Sequence, residues 1–382
     1  MISKAAVLFE VGQKLFIKEV EVEPPRSGEV LVKMAAGGIC HSDLHVMNGD
    51  LHNPLPAILG HEGSGVVAEI GKGVMSVRPG DHVLPLWRMS CGECDYCSAG
   101  RPALCPEGTK IRNTGCFLDG TTRFKLDGTE IKHFLGVSTF SEYSVMPEKS
   151  VLRIPQDLPL DRAALFGCGV VTGVGVAINA ARVEPGSTVA VIGTGGVGLN
   201  VVQGSLLAGA GKIIAVDLVD KKLDLAREFG ATDTVNAAAG SPVEQVRDLT
   251  DGKGVDYAFE VIGLPATMRQ AYDSLAKRGM AIIVGITPRS AEVSIPSLSL
   301  VYEERTITGS LYGSSRPRID IPKLIDLYRV GKLKIDELLT RTYPFERINE
   351  AYPDANIKFY DNLRLKFSQY DNLSLPDDGW AI

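Results

Sequence analysis

The stretch from Val189 to Asp217 limits most narrowly what this chain can fold into. An apolar run fit for one buried strand, Val189-Ala-Val-Ile, passes straight into Gly193-Thr-Gly195-Gly196-Val197-Gly198, and the residues from Leu199 to Ala210 read as a helix. Nineteen residues after Gly198, the next strand-like run, Lys212–Asp217, ends in an acid. Strand, glycine turn, helix, strand and acid in that order make one unit of a parallel sheet with a right-handed crossover. The glycines permit the tight turn and let backbone N–H groups at the helix N-terminus meet a pyrophosphate. Asp217 suits the two hydroxyls of an adenosine ribose and repels a 2′-phosphate, so NAD is preferred to NADP. The competing reading is a glycine-rich turn that only packs a helix on a sheet; strand, helix and acid together argue against it.

The same alternation continues with a helix from Asp220 to Phe229 stopped at Gly230, and with strands at Tyr257–Val261 and at 281–284. This predicts a doubly wound parallel sheet ending near Tyr312. From Ala5 to Met146 the chain instead shows short β runs broken by Gly and Pro, among them Val30–Met34 and Gly65–Ile70, which predict an antiparallel, barrel-like domain. A length of 382 residues accommodates both, and the absence of a Pro- or Ser-rich linker predicts direct packing with a cleft between them. Hydrophobic residues at 45% and charged residues at 23% exclude a disordered chain. A net charge of −6 without a basic block argues against nucleic acid as a partner. No apolar run approaching eighteen residues and no signal-peptide pattern stand out, so the expectation is a soluble, cytoplasmic protein without a membrane partner.

Seven cysteines are present, and Cys91, Cys94, Cys97 and Cys105 fall within fifteen residues. That density suits metal binding in a reducing compartment better than a disulfide framework. Four thiols filling a tetrahedral site leave no position for a substrate, so a zinc here is structural. An iron–sulfur cluster or simple buried cysteines are the alternatives.

Three further pieces are weak singly: Gly38-Ile-Cys40-His41-Ser42-Asp43-Leu-His45, Gly60-His61-Glu62-Gly63, and Gly167-Cys168-Gly169. Taken in order with the four-cysteine lobe and the Gly193 loop, they resemble the zinc-dependent medium-chain alcohol dehydrogenases, from about residue 5 to about residue 352. The resemblance implies a GroES-like, β-rich catalytic domain over 1–169 with a structural zinc lobe at 88–110. It further implies a Rossmann NAD-binding domain over 170–312 and a return to the catalytic domain over 313–382.

By this resemblance two zinc ions are expected per subunit. Cys40, His61 and Cys168 would hold the catalytic one, an open Cys₂His set that acidifies an alcohol so that the alkoxide can release hydride to NAD. Asp43 would accept the outer N–H of His61, its alternative being a turn carboxylate. Glu62 would be a transient ligand or an electrostatic modulator. Ser42 would take the alcohol proton and pass it to His45, whose alternative is an ordinary exposed histidine. His41 would approach the pyrophosphate, Lys222 the adenosine ribose, and Thr172 and Val197 the nicotinamide. Trp87 and Phe140 would line the substrate pocket and favour primary, allylic or benzylic alcohols; both aromatics also suit plain core positions.

Cys116 to Phe124 and Gly136 to Tyr143 resemble the long-chain branch, which includes the glutathione-dependent formaldehyde dehydrogenases, and Lys110-Ile-Arg112 resembles the segment with that subgroup's substrate-binding arginine. S-hydroxymethylglutathione oxidation is therefore the second candidate activity. His45 in place of that subgroup's usual Tyr and a shorter Asn48–Pro54 loop put an ordinary alcohol dehydrogenase first. A non-catalytic protein binding NAD and zinc is the third reading. The resemblance implies a homodimer or homotetramer. The tail after Pro353 is atypical, and neither Asn362 nor Arg364 is assigned the family's pyrophosphate contact.

Overall fold

Glu29–Gly38 forms the longest strand of the N-terminal half, with nine of its ten residues buried. Val30, Leu31 and Val32 suit a pleated, two-sided packing surface, and the strand lies between antiparallel neighbours Glu62–Ile70 and Tyr143–Pro147. The structure is a computed structural model describing residues 1–352 and the backbone of Leu363–Lys366. The expectations for Pro353, Asn362 and the rest of the tail lie outside the described residues.

Glu62–Ile70 pairs on its far side with His82–Pro85, and that strand pairs with Val151–Arg153. A second sheet closes into a barrel from Ile2–Leu8, Phe16–Val22, Phe124–Leu126, Thr129–His133 and Ala57–Ile58. Its closure differs from the antiparallel expectation: Ala57–Ile58 runs parallel to Lys132 and His133. A pair this short leaves no periodic signature in a sequence.

The nucleotide half is a six-stranded, wholly parallel sheet. From edge to edge its strands are Asp233–Asn236, Lys212–Asp217, Thr188–Ile192, Val255–Glu260, Leu275–Ile283 and Thr306–Gly309. The order reverses beside Thr188–Ile192, where the Gly193 loop emerges, so the crevice at the carboxyl edge opens there. The helix after the loop spans Gly196–Leu207, starting and ending three residues before the expected limits, because the last glycines supply its first turn. The next helix, Asp220–Glu228, stops before Gly230, whose φ of 113° ends it.

The two halves meet on one rod, the helical run Leu160–Ala181. It is 22 residues long and apolar enough by composition to cross a membrane, which corrects the expectation of no such segment. Nearly three quarters of its most apolar window is buried in protein, so its apolar character is that of a core element. The expected junction near residue 170 falls inside this rod. After Thr306–Gly309 the chain turns at Tyr312–Ser314 and enters the helix Pro317–Arg329, whose Ile321, Leu324 and Ile325 share a core with Val174 and Leu199. It rejoins the barrel-side core at Tyr343, Phe345 and Ile348. Arg341–Pro344 then pairs in parallel with Leu363–Lys366, which lies antiparallel to Glu29–Gly38. Phe345–Glu350 forms a tight 3₁₀ turn with non-helical backbone at Arg347.

Candidate active site

Cys40 stands where Glu29–Gly38 gives way to the short helix His41–Met47, His61 sits just ahead of Glu62–Ile70, and Cys168 comes from the interdomain rod. The fold gathers these distant positions: ligand atoms of Cys40, His61, Glu62 and Cys168 all lie within 4.8 Å of one another. His61 Nδ1 is 3.2 Å from Asp43 Oδ1, which also accepts the Gly60 N–H at 3.0 Å. Because the carboxylate holds a proton on Nδ1, the basic nitrogen is Nε2, which is buried and makes no hydrogen bond. An orphaned imidazole nitrogen facing two thiols and a carboxylate fits a zinc ion.

The electrostatics agree with such a donor set. Burial alone would lower the His61 pKa, but Asp43 and a Cys40 thiolate raise it well above the usual histidine value. Hydrogen bonding from Cys168 and the nearby His61 charge pull Cys40 well below an ordinary thiol, while Cys168, giving that hydrogen bond and buried, is pushed well up. Burial raises Asp43 despite its His61 partner.

The second cluster also converges: Cys91, Cys94, Cys97 and Cys105 place their sulfurs within 4.8 Å of one another. Backbone N–H groups of Glu93 and Cys94 draw Cys91 down to about 7, and the Cys91 N–H itself points at Cys105 Sγ, 3.3 Å away. Burial and the neighbouring thiols push Cys97 up to about 12. Four sulfurs held by a loop and backbone N–H donors fit a closed tetrahedral metal site. All seven cysteines are free of disulfides.

Ser42 and His45 stand three residues apart on the helix His41–Met47 and therefore share a face. Cys40 Sγ is 3.7 Å from Ser42 Oγ, and His45 Nδ1 is 2.9 Å from Asp50 Oδ2. The His41 and His45 rings lie 4.4 Å apart, and crowding plus the His45 charge hold His41 down to about 4. A line of polar groups thus runs from the metal-ligand cluster toward solvent.

At the nucleotide cleft, a Cβ on Gly198 would lie 1.9 Å from the Gly193 carbonyl oxygen, whereas one on Gly195 would meet nothing within 4 Å. The turn is therefore closed on its inner side and open outward at the N-terminus of Gly196–Leu207, a cradle that fits a pyrophosphate. The Asp217 carboxylate accepts from the Thr194 N–H and hydroxyl at 2.9 and 3.0 Å, and from the N–H groups of Leu218 and Val219. Val197 and Lys222 are half-buried, and Thr172 is buried on the interdomain rod one turn beyond Cys168.

On the substrate side the structure separates two aromatics that the sequence reading put together. Trp87 is half-buried with its ring 5.2 Å from that of Tyr312. Phe140 has no exposed surface and fills the space over Gly60 and Gly37, so it belongs to the core and borders no open pocket. The sequence reading also passed over two groups. Arg88, nearly buried, lies over the Trp87 ring at 5.5 Å and donates to Thr109, while burial and Arg112 lower its pKa. Glu260, wholly buried, accepts from the N–H groups of Ile262 and Gly263 and from the Thr267 hydroxyl. An acid at the carboxyl end of a parallel strand was a legible signal for Glu260; nothing local marked Arg88.

Comparisons with known proteins agree with this arrangement. Residues 26–156 match the alcohol dehydrogenase GroES-like domain, and residues 196–329 match the zinc-binding dehydrogenase domain. An alcohol dehydrogenase class-3 of Dictyostelium discoideum is 44% identical over 356 residues, covering 91% of this chain and 93% of that protein. The crystal structure of benzyl alcohol dehydrogenase from Acinetobacter calcoaceticus is 34% identical with a TM-score of 0.91, over 96% of this chain and 100% of the other. That of an alcohol dehydrogenase zinc-binding domain protein from Burkholderia ambifaria is 36% identical with a TM-score of 0.91, over 96% and 99%.

Proposed function

The chain belongs to the zinc-dependent medium-chain alcohol dehydrogenase family and is an NAD-linked alcohol oxidoreductase; on that premise we propose that it interconverts primary alcohols, allylic and benzylic ones included, with their aldehydes. The observation that carries this reading is the buried, unpaired Nε2 of His61 facing the Cys40 and Cys168 thiols. Zinc held by Cys40, His61 and Cys168 would acidify a coordinated hydroxyl, and NAD at the Gly193 cradle would accept hydride.

The chain's own residues supply the rest. Asp43 fixes the His61 tautomer and ring orientation. Ser42 receives the alcohol proton and His45, paired with Asp50, delivers it to solvent. Glu62, within reach of the same cluster, exchanges with the other ligands or tunes their charge. Asp217 and Lys222 take the adenosine ribose, His41 the pyrophosphate, and Val197 and Thr172 the nicotinamide face. Trp87 provides a flat apolar wall, which suits benzylic substrates. A zinc at Cys91, Cys94, Cys97 and Cys105 pins the lobe that follows it.

A second reading has a specific observation behind it. Burial and, after it, the charge of Arg112 lower the Arg88 pKa, and burial and the charge of Arg289 lower that of Arg112. Arg88 beside Trp87, with Arg112 and Arg289 adding charge along the same series, favours a substrate with carboxylates, such as S-hydroxymethylglutathione. We also propose a cytoplasmic homodimer. Its support is the open edge of Thr306–Gly309 beside the exposed Leu298, Val301 and Tyr302 of Ser297–Tyr302.

The test is the initial rate of NADH formation by zinc-replete protein across aliphatic, allylic and benzylic alcohols, with hydroxymethylglutathione and NADP alongside. Turnover of simple alcohols with NAD is expected. Turnover of hydroxymethylglutathione alone would transfer the assignment to the second reading, and none with zinc and NAD bound would leave a binding protein.

A further inference from the structure

The turn Tyr312-Gly313-Ser314 takes positive φ at three successive residues, 55°, 64° and 50°. Two of these are not glycine, so the conformation is held by its surroundings. Those surroundings are the interdomain rod: a Cβ on Gly313 would lie 2.6 Å from the Val171 carbonyl oxygen and 2.7 Å from that of Thr172. Ser315 Oγ donates to the Val171 carbonyl at 3.2 Å. The return crossing is therefore locked backbone to backbone on the helix that carries Cys168 and Thr172.

Out of this locked turn comes the Tyr312 side chain, 5% exposed. Its hydroxyl donates to the Gly167 carbonyl at 2.5 Å and accepts the Trp87 N–H at 3.4 Å, and its ring tilts against the Trp87 ring. Gly167 is the residue before Cys168. One phenol thus ties the peptide leading into a candidate metal ligand to the backbone and ring of the candidate substrate wall. Among the described residues no carboxylate or cation hydrogen-bonds to this hydroxyl, and burial keeps it neutral by pushing its pKa well up.

We propose that Tyr312 is a positioning residue for substrate specificity: its hydroxyl sets the distance between the Cys168 ligand and the Trp87 wall, and so selects the shape of alcohol that fits between them. This rests on the alcohol dehydrogenase reading. Phe in its place keeps the ring and the packing but removes the hydrogen bonds to the Gly167 carbonyl and from the Trp87 N–H, which loosens the wall. Small alcohols depend little on that wall; benzylic ones depend on it directly.

The test uses the zinc-loaded full chain with Tyr312→Phe, Trp87→Phe and the double variant. With Tyr312→Phe, KM for benzyl alcohol rises about tenfold, the equivalent of one net hydrogen bond, while ethanol kinetics and NAD affinity stay within about twofold. The two substitutions are non-additive on benzyl alcohol KM. A readout independent of turnover uses the two tryptophans. In a Trp380→Phe background, Trp87 is the remaining one, and Tyr312→Phe raises its quenching by acrylamide. Equal benzyl and ethanol effects, additive variants, or unchanged Trp87 quenching would each overturn the proposal. Absence of any alcohol turnover in the parent protein would instead sink the function reading, and the quenching result would still decide whether Tyr312 holds Trp87.

Discussion

Asp43 and His61 are both without solvent exposure, and the Asp43 carboxylate accepts a hydrogen bond from His61 Nδ1–H at 3.2 Å. This contact fixes which histidine nitrogen remains for a metal. Asp43→Ala should therefore lower zinc affinity at the Cys40–His61–Cys168 site by roughly 10–100-fold. Zinc content after dialysis against a graded chelator checks this, and full retention would show that the carboxylate is dispensable.

His45→Gln should slow alcohol oxidation near pH 7 by roughly 10–100-fold, the range for loss of one acid–base group. Added imidazole-type bases should restore much of the rate, since the group is half-buried beside Asp50 rather than sealed in. A pH–rate profile that superimposes on the parent's would remove His45 from the proton path.

Replacing Asp217 with Asn takes the negative charge from the carboxylate that the Thr194, Leu218 and Val219 N–H groups all address. KM for NAD should rise about tenfold and NADP should gain relative to it, because a 2′-phosphate no longer meets a like charge. Parallel kcat/KM measurements with the two dinucleotides are sufficient; an unchanged ratio would place cofactor choice elsewhere.

Cys105→Ser breaks the four-sulfur cluster without touching Cys40, His61 or Cys168. Bound zinc should fall by one per chain, and the urea midpoint should move to lower concentration, since a structural metal's binding free energy contributes to folding. Two zinc ions retained with an unshifted midpoint would count against a metal there.

Stability should also fall in acid through His133. It is wholly buried between the Phe117 and Phe124 rings, accepts the Arg123 N–H on Nε2, and is held down to about 3 by burial and the charge of Arg123. The folded value lies below the unfolded one of 6.5, so this contribution is complete above pH 6.5 and is lost as pH falls toward 3. The slope reaches about 1.4 kcal/mol per pH unit for one proton. Urea midpoints between pH 7 and 4 measure it, and His133→Gln should flatten that limb; an equally steep limb in the variant assigns the slope to other groups.

What the sequence made legible is what lies close together along it. Val189 to Asp217 and Cys91 to Cys105 each lie within one local segment: the first folds as strand, turn, helix and strand, and the second brings its four sulfurs together. Cys40, His61 and Cys168 are separated by a barrel and half a crossing helix, so only their resemblance to a family grouped them. The rod Leu160–Ala181 escaped notice because Gly167, Gly169, Gly173 and Gly175 punctuate it like a loop; in the fold they let neighbouring backbone approach, as Gly173 does with Val197 and Asn200. Phe140 carried both a pocket and a core reading because an aromatic that fills a core and one that faces a pocket look alike in one dimension, and its burial favours the core. Tyr312 acquired its partners only through contacts more than a hundred residues away.

Cys168 and Thr172 ride one turn apart on that rod, a rise of about 6 Å. On the proposed assignment, with Cys168 holding the metal and Thr172 meeting the nicotinamide, the gap between alcohol and cofactor would be set by the geometry of one helix, as the jaws of a calliper are fixed by its beam. The walls around the alcohol could then change from one relative to another while the span between the reactants kept its length.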